Sequence, residues 1–180
     1  MLYPLPAVMV SCGHSPDNFN IITIAWTGVV NTNPPMVYIS VRPSRHSFDI
    51  LKETGDFVIN LTTKKLAYAT DWNGVKSGKD FNKAQKTKLT YGKATEIKSP
   101  IILESPINIE CRTKQIIPLG THHMFLAEVV AVQADDRYLN HKTGKFDMKK
   151  AELITYVHGN YYELGALIGH FGYSVRKKKK

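Results

Sequence analysis

The sequence predicts a mainly β chain, an antiparallel barrel with a few helices, and three observations carry that prediction. Short runs rich in Val, Ile, Thr and aromatic residues recur along the chain, and such residues favour strands. Clusters of Gly, Pro, Asn and Ser separate these runs and mark turns. The regular strand–helix alternation of a parallel α/β sheet is missing.

Pro6 to Cys12 alternates weakly and reads as the first strand, and Gly13-His14-Ser15-Pro16-Asp17-Asn18 as the turn after it. Ile21 to Thr27 carries Ile, Thr and Trp and reads as a second strand, which Asn31-Thr32-Asn33-Pro34-Pro35 breaks. Met36 to Val41 is a strong third strand. Phe48, Ile50 and Leu51 then follow at helical spacing, with Ser44 as the expected N-cap and Gly55 where a helix would stop. Phe57 to Leu61 is a short apolar strand, and Lys64 to Trp72 a second helix. Residues 73–100 are polar and rich in Gly and Lys, so they read as a long irregular segment. A loop of that length within a compact domain is usually functional or mobile. Ile107 to Ile117, the turn Pro118-Leu119-Gly120, Met124 to Ala134 and Leu153 to Val157 supply the remaining strands. The stretch Tyr161–Tyr173 is interrupted by Gly165, Gly169 and Gly172, and its pattern leaves the conformation open.

The 180 residues suit one domain over residues 1–175 with a basic flexible tail at 176–180. No apolar run approaches the ~20 residues that span a bilayer, and Met1-Leu2-Tyr3-Pro4-Leu5-Pro6 lacks the features of a signal peptide. The expectation is a cytoplasmic protein without a membrane partner, with Cys12 and Cys111 reduced. The formal charge of +9 is uneven. Arg176 to Lys180 supply five positive charges, leaving +4 for residues 1–175. Between Lys64 and Lys98, nine lysines face only Asp71, Asp80 and Glu96. Such a patch attracts phosphates, whether of a nucleic acid, a membrane, a cofactor or NAD(P)H.

Several chemistries lack their motifs. There is no G-x-G-x-x-G, no Walker sequence, no H-E-x-x-H, no zinc-type Cys/His spacing and no G-x-S-x-G elbow. His122 and His123 are adjacent, so on a strand they point to opposite faces and would rarely hold one metal. The most informative segment runs from Met36 to Leu51. There a strand leads into a turn with Arg42, Ser44, Arg45, His46 and Ser47, and a helix follows. A helix N-terminus offers unpaired N–H groups and partial positive charge, so this segment suits a phosphate. A plainly capped helix with solvated arginines accounts for the same residues.

Pro4-Leu5-Pro6-Ala7-Val8-Met9-Val10, Asn20-Ile21-Ile22-Thr23-Ile24-Ala25-Trp26-Thr27-Gly28 and Asn33-Pro34-Pro35-Met36-Val37-Tyr38-Ile39-Ser40-Val41-Arg42 form an ordered series. It continues through His46-Ser47, Glu53-Thr54-Gly55-Asp56-Phe57-Val58-Ile59-Asn60, Ser77-Gly78-Lys79-Asp80-Phe81-Asn82-Lys83 and Glu104-Ser105-Pro106-Ile107-Asn108-Ile109-Glu110-Cys111. Together these resemble the flavin reductase-like family, especially its flavoredoxin-type members, over roughly residues 4–173.

The resemblance implies an FMN-binding split barrel of antiparallel Greek-key type, a homodimer, and FMN near the subunit interface. It implies that Ala25, Trp26 and Thr27 lie along the flavin, largely through their backbone, and that Ser40, Val41 and Arg42 approach the ring edge and ribityl chain. It sets His46 and Ser47 at the phosphate, and Lys83 matches a lysine that reaches toward the flavin or its phosphate. Gly120-Thr121-His122 matches a Gly-Asp-His motif that helps position a nicotinamide, with Thr121 in place of Asp. Ala127 stands where a Gly is usual, Lys79 where an Arg is usual, and Ala84 where an aromatic follows the lysine. The implied activity is an NAD(P)H-dependent flavoprotein oxidoreductase that passes electrons to free flavin, a small molecule, a partner protein or dioxygen. An FMN-holding electron-transfer or storage protein without its own NAD(P)H site is the alternative, which the altered motif favours slightly. Nucleic acid is not the expected partner.

Overall fold

Most of the strand-forming runs become strands, and their pairing bends the chain into a curled sheet. The computed structural model describes residues 2–176. Of the expected basic tail, Lys177 to Lys180 lie outside the described residues. Strands β1 (Leu5–Pro6), β2 (Val8–Cys12), β3 (Asn20–Ile24), β4 (Thr27–Asn31) and β5 (Met36–Val41) precede helix α1 (His46–Thr54). Strand β6 (Asp56–Leu61), helices α2 (Ala67–Val75) and α3 (Lys83–Thr87), and the short strands β7 (Tyr91–Gly92) and β8 (Ile101–Ile102) follow. The long strands β9 (Ile107–Pro118) and β10 (His123–Ala134) and the hairpin β11 (Ile154–Val157) and β12 (Asn160–Glu163) complete the described elements.

Seven strands form one antiparallel sheet in the order β3-β2-β6-β9-β10-β5-β4. Its two outer strands, β3 and β4, are separated in sequence by only Ala25 and Trp26. The sheet therefore has to curl until its edges meet. At the meeting point the Ser40 N–H donates to the Trp26 carbonyl at 2.8 Å. The expected strand Ile21–Thr27 is accordingly two strands with a bend at Ala25–Trp26, and Thr27–Asn31 pairs with β5 on the far edge. Residue pattern alone does not reveal this break, because both halves carry strand formers.

The concave face holds the main core, with Val8, Val10, Ile22, Ile24, Val37, Ile39, Val41, Phe57, Cys111 and Phe125 buried together. Helix α1 adds Phe48 and Leu51 to this core, and Phe48 meets His123 and Phe125 edge-on at 5.0 and 5.6 Å. On the opposite face Met9 and Ile21 pack under Leu66, Ala69, Ala84, Leu89 and Ile102. β2 is thus buried on both faces, which explains why its alternation is weak.

Residues 73–100, expected to be irregular, contain order of their own. Asn82 caps α3 by accepting the Gln85 N–H at 3.0 Å, and β7 pairs with β8. Polar side chains from β6 and β9 hold the segment after α3 onto the sheet. Asn60 accepts the Ile102 N–H at 3.0 Å, Asp56 accepts the Ser99 N–H at 3.2 Å, and Glu110 accepts the Thr95 and Glu96 N–H groups at 2.8 and 2.7 Å. The expected helix from Lys64 begins as a 3-10 turn over Lys64–Leu66 and becomes α-helical at Ala67.

Candidate functional site

Where the two sheet edges meet, two cavities adjoin and share Ile22, Arg45 and Gly74 in their walls. The larger is a cleft of about 370 Å³, within the size range of small-molecule sites. The smaller is a pocket of about 90 Å³ at the start of α1.

The small pocket follows from how α1 begins. Ser44 was the expected cap, but a turn comes first: the Arg45 N–H donates to the Arg42 carbonyl at 3.0 Å. The helix then starts one residue later, with Arg45 as N-cap and no side-chain bond to the helix end. A helix N-terminus without a side-chain cap leaves N–H donors for an external acceptor. Ser47 instead accepts the Asn20 side-chain amide at 2.7 Å. Across the pocket Lys83 is only 5% exposed, and its ammonium donates to the Asn73 carbonyl at 2.6 Å. Among the described residues no carboxylate forms an ion pair with it. Burial, with the Arg45 charge adding to it, lowers the Lys83 pKa to about 8. The Asn73 side-chain oxygen in the same wall is buried without a donor. A buried cation facing a helix N-terminus suits a phosphate in both charge and donors, and the orphaned oxygen suits a hydroxyl.

The cleft has aromatic walls. Trp26 is 54% exposed and its ring lies 4.3 Å from that of His122, tilted by 37°. The Thr121 hydroxyl and His122 Nδ1 are 3.0 Å apart. Partial burial and the Arg42 charge lower the His122 pKa, so its imidazole is neutral at pH 7. Opposite, the hairpin of β11 and β12 brings Tyr156 and Tyr161 to the cleft, and the Tyr161 hydroxyl donates to Asp71 of α2 at 3.3 Å. Apolar Ile22, Ile24 and Val41 line the cleft between these walls. An aromatic-walled slot running into an anion pocket has the two-part shape that a phosphorylated, planar cofactor requires, and in that respect the residues fit FMN.

Of the residues singled out from sequence, Ala25, Trp26, Ser40, Val41, Arg42 and His122 line the cleft, and His46, Ser47 and Lys83 line the pocket. Thr27 lines neither. Its hydroxyl donates to the Tyr38 carbonyl at 2.7 Å inside the sheet, so only its backbone is left for a ligand. His122 and His123 do point apart, toward Trp26 and Phe48 respectively. Asn20, Asn73, Gly74, Gly78, Tyr156 and Tyr161 were not foreseen as site residues. They arrive from five segments, and only the curl of the sheet and the packing of α2 on β3 bring them together.

Residues 1–165 match the family described as "Flavin reductase like domain". An uncharacterized protein of Archaeoglobus fulgidus is 30% identical over 147 residues, 82% of this chain and 80% of its own length. Among solved structures, the flavoredoxin of Desulfovibrio vulgaris superposes with a TM-score of 0.90 at 24% identity, over 98% of this chain and 95% of that one. A flavoredoxin from Methanosarcina acetivorans gives a TM-score of 0.86 at 27% identity over the same shares. An FMN-binding protein from Thermus thermophilus gives 0.76 at 22% identity, over 89% of this chain and 86% of that one.

Proposed function

We propose, from the premise that this chain belongs to the flavin reductase-like family, that it is an FMN-dependent oxidoreductase in which residues 1–175 act as one cofactor-holding unit. The observation that carries FMN in particular is Lys83, a buried cation with no ion-pair partner among the described residues, beside a helix start with no side-chain cap. Riboflavin lacks the phosphate that would pair with this charge, and a pocket of about 90 Å³ suits a single phosphate group.

In this reading the α1 N-terminus with His46 and Ser47 holds the phosphate, and Lys83 neutralises it. Asn73 accepts a ribityl hydroxyl. Ser40, Val41 and Arg42 lie along the ribityl chain and ring edge, with the Arg42 charge beside the polar edge of the ring. Ala25 and Trp26 belong to neither sheet ladder; the Trp26 carbonyl is taken by Ser40, which leaves the Trp26 N–H and the Ala25 backbone to bond the ring, and the backbone of Thr27 continues that line. His122, tilted against Trp26, lines one side of the cleft, where it can help position a nicotinamide. A flavin held by these residues would supply the redox chemistry, which the side chains around it orient and shield.

A homodimer belongs to the same proposal. Leu164, Leu167, Ile168, Phe171, Tyr173 and Val175 are exposed in succession, with Ile168 at 93%. So many exposed apolar side chains along one segment suit an association surface.

The purified protein should be yellow, release FMN on denaturation, and be bleached by NADH or NADPH in anaerobic stopped flow. A colourless protein that gains no flavin on titration overturns the cofactor reading. A yellow protein that neither nucleotide reduces is instead an FMN-holding electron-transfer protein. The Thr121–His122 bond, which pins the imidazole over Trp26, favours that second reading.

A further inference from the structure

We infer that Asn20 and Gly78 form a latch that sets the shape of the small pocket and makes the site select the phosphorylated flavin over riboflavin. The inference rests on the FMN reading above. Asn20 opens β3 and is 4% exposed, between the start of α1 and the segment linking α2 to α3. Its amide makes two contacts. The Nδ2 donates to Ser47 Oγ at 2.7 Å. The Oδ1 lies only 2.2 Å from where a Cβ on Gly78 would stand, with the amide carbon at 2.7 Å.

The first contact orients a hydroxyl. Ser47 is the second residue of α1; with its oxygen accepting from Asn20, its own proton is turned away from Asn20, toward either the buried Cys12 thiol beside it or a ligand in the pocket. The second contact sets a distance. Gly78 is not among the glycines in the left-handed region, so its backbone admits alanine, and the glycine answers to the amide beside it. An alanine there has to push the buried Asn20 side chain away, which breaks its bond to Ser47. One amide thus joins two walls of the pocket, and Lys83 lines the same pocket. Neither Asn20 nor Gly78 lines the cleft, so the latch acts on the phosphate and not on the ring.

The test is fluorescence titration of the apoprotein with FMN and, separately, riboflavin, alongside thermal unfolding midpoints, for wild type, N20A, N20D, G78A and the N20A/G78A double variant. N20A and G78A should each weaken FMN binding about 10-fold, the worth of one good bond to a charged group, and change riboflavin binding less than about twofold. N20D keeps the shape but cannot donate to Ser47 and adds negative charge, so it should lose more FMN affinity than N20A. The double variant should bind FMN no worse than either single, because removing the amide removes the clash. The latch is overturned if FMN and riboflavin affinities fall together, if G78A binds FMN normally, or if the two losses add. If N20A fails to fold, the G78A and N20D titrations decide between these outcomes. A wild-type protein that takes up neither flavin overturns the cofactor reading and the latch's selectivity with it, a pattern distinct from the others.

Discussion

Lys83 holds a charge under strain. Burial lowers its pKa to about 8, against an ordinary 10.5. A phosphate dianion beside it favours the charged form, so its pKa rises again in the complex. The complex therefore binds more protons than the apoprotein above about pH 8. FMN affinity should be full below that pH and weaken as pH rises through it, by up to about 10-fold per unit, while riboflavin affinity stays flat. Titrations between pH 7 and 9.5 check this. Lys83→Met should cost about 10- to 100-fold in FMN affinity. In the apoprotein the sign reverses. The folded pKa lies below the unfolded one, so the charged lysine opposes folding at pH 7, and that cost fades between pH 8 and 10.5. Lys83→Met should accordingly raise apoprotein stability at pH 7 on the order of 1 kcal/mol, measured by urea unfolding. Sequence could name this lysine by resemblance only, since eight others surround it between Lys64 and Lys98. Burial is what distinguishes it, and burial comes from the packing of α3.

The segment that looked irregular is held by side chains from strands β6 and β9. Glu110 is fully buried and accepts from Thr95, Glu96 and Gln133. Burial pushes its pKa up, but those three bonds outweigh it and hold the carboxyl below the usual range. Its contribution is present above the unfolded carboxylate value and is lost as pH falls through the depressed folded one. Glu110→Gln replaces one acceptor oxygen with a donor that faces another donor. It should cost about 2 kcal/mol and speed amide hydrogen exchange at Thr95 and Glu96 while leaving α1 protected. The strands themselves were legible because alternation or apolar runs mark them. Met36–Val41 and the pair β9 and β10 fall within a residue or two of expectation. α3 escaped notice because five residues give too little periodicity. β12 escaped because its outward face is polar and glycines follow it. The Arg42–Ser47 turn was legible as a candidate anion site because its donors are local in sequence. The aromatic wall was not, because Tyr156 and Tyr161 lie more than a hundred residues from Trp26.

For the whole molecule, removing residues 165–180 should convert a sedimenting dimer into a monomer, because the deletion takes away Leu167, Ile168 and Phe171. If the truncated chain sediments as the full one does, association uses another face. Saturating FMN should raise the unfolding midpoint of the entire protein rather than of one segment, following RT ln(1 + [L]/Kd) or about 2.7 kcal/mol at 100 times Kd. Differential scanning calorimetry would show a single shifted transition. The reason lies in the two-residue link between β3 and β4, where the sheet closes and the cleft opens. Ala25 and Trp26 limit how far apart the two sheet edges can stand, and both line the cleft between them. An inserted residue there adds up to about 3.4 Å of chain between the edges, at the wall of the cleft. The Gly13–Asn18 turn lines neither cavity and can lengthen without touching that spacing. One residue added to this link should therefore weaken flavin uptake in a fluorescence titration, where one added to the Gly13–Asn18 turn should not, so the strictest demand that the site makes on the chain is a length rather than a side chain.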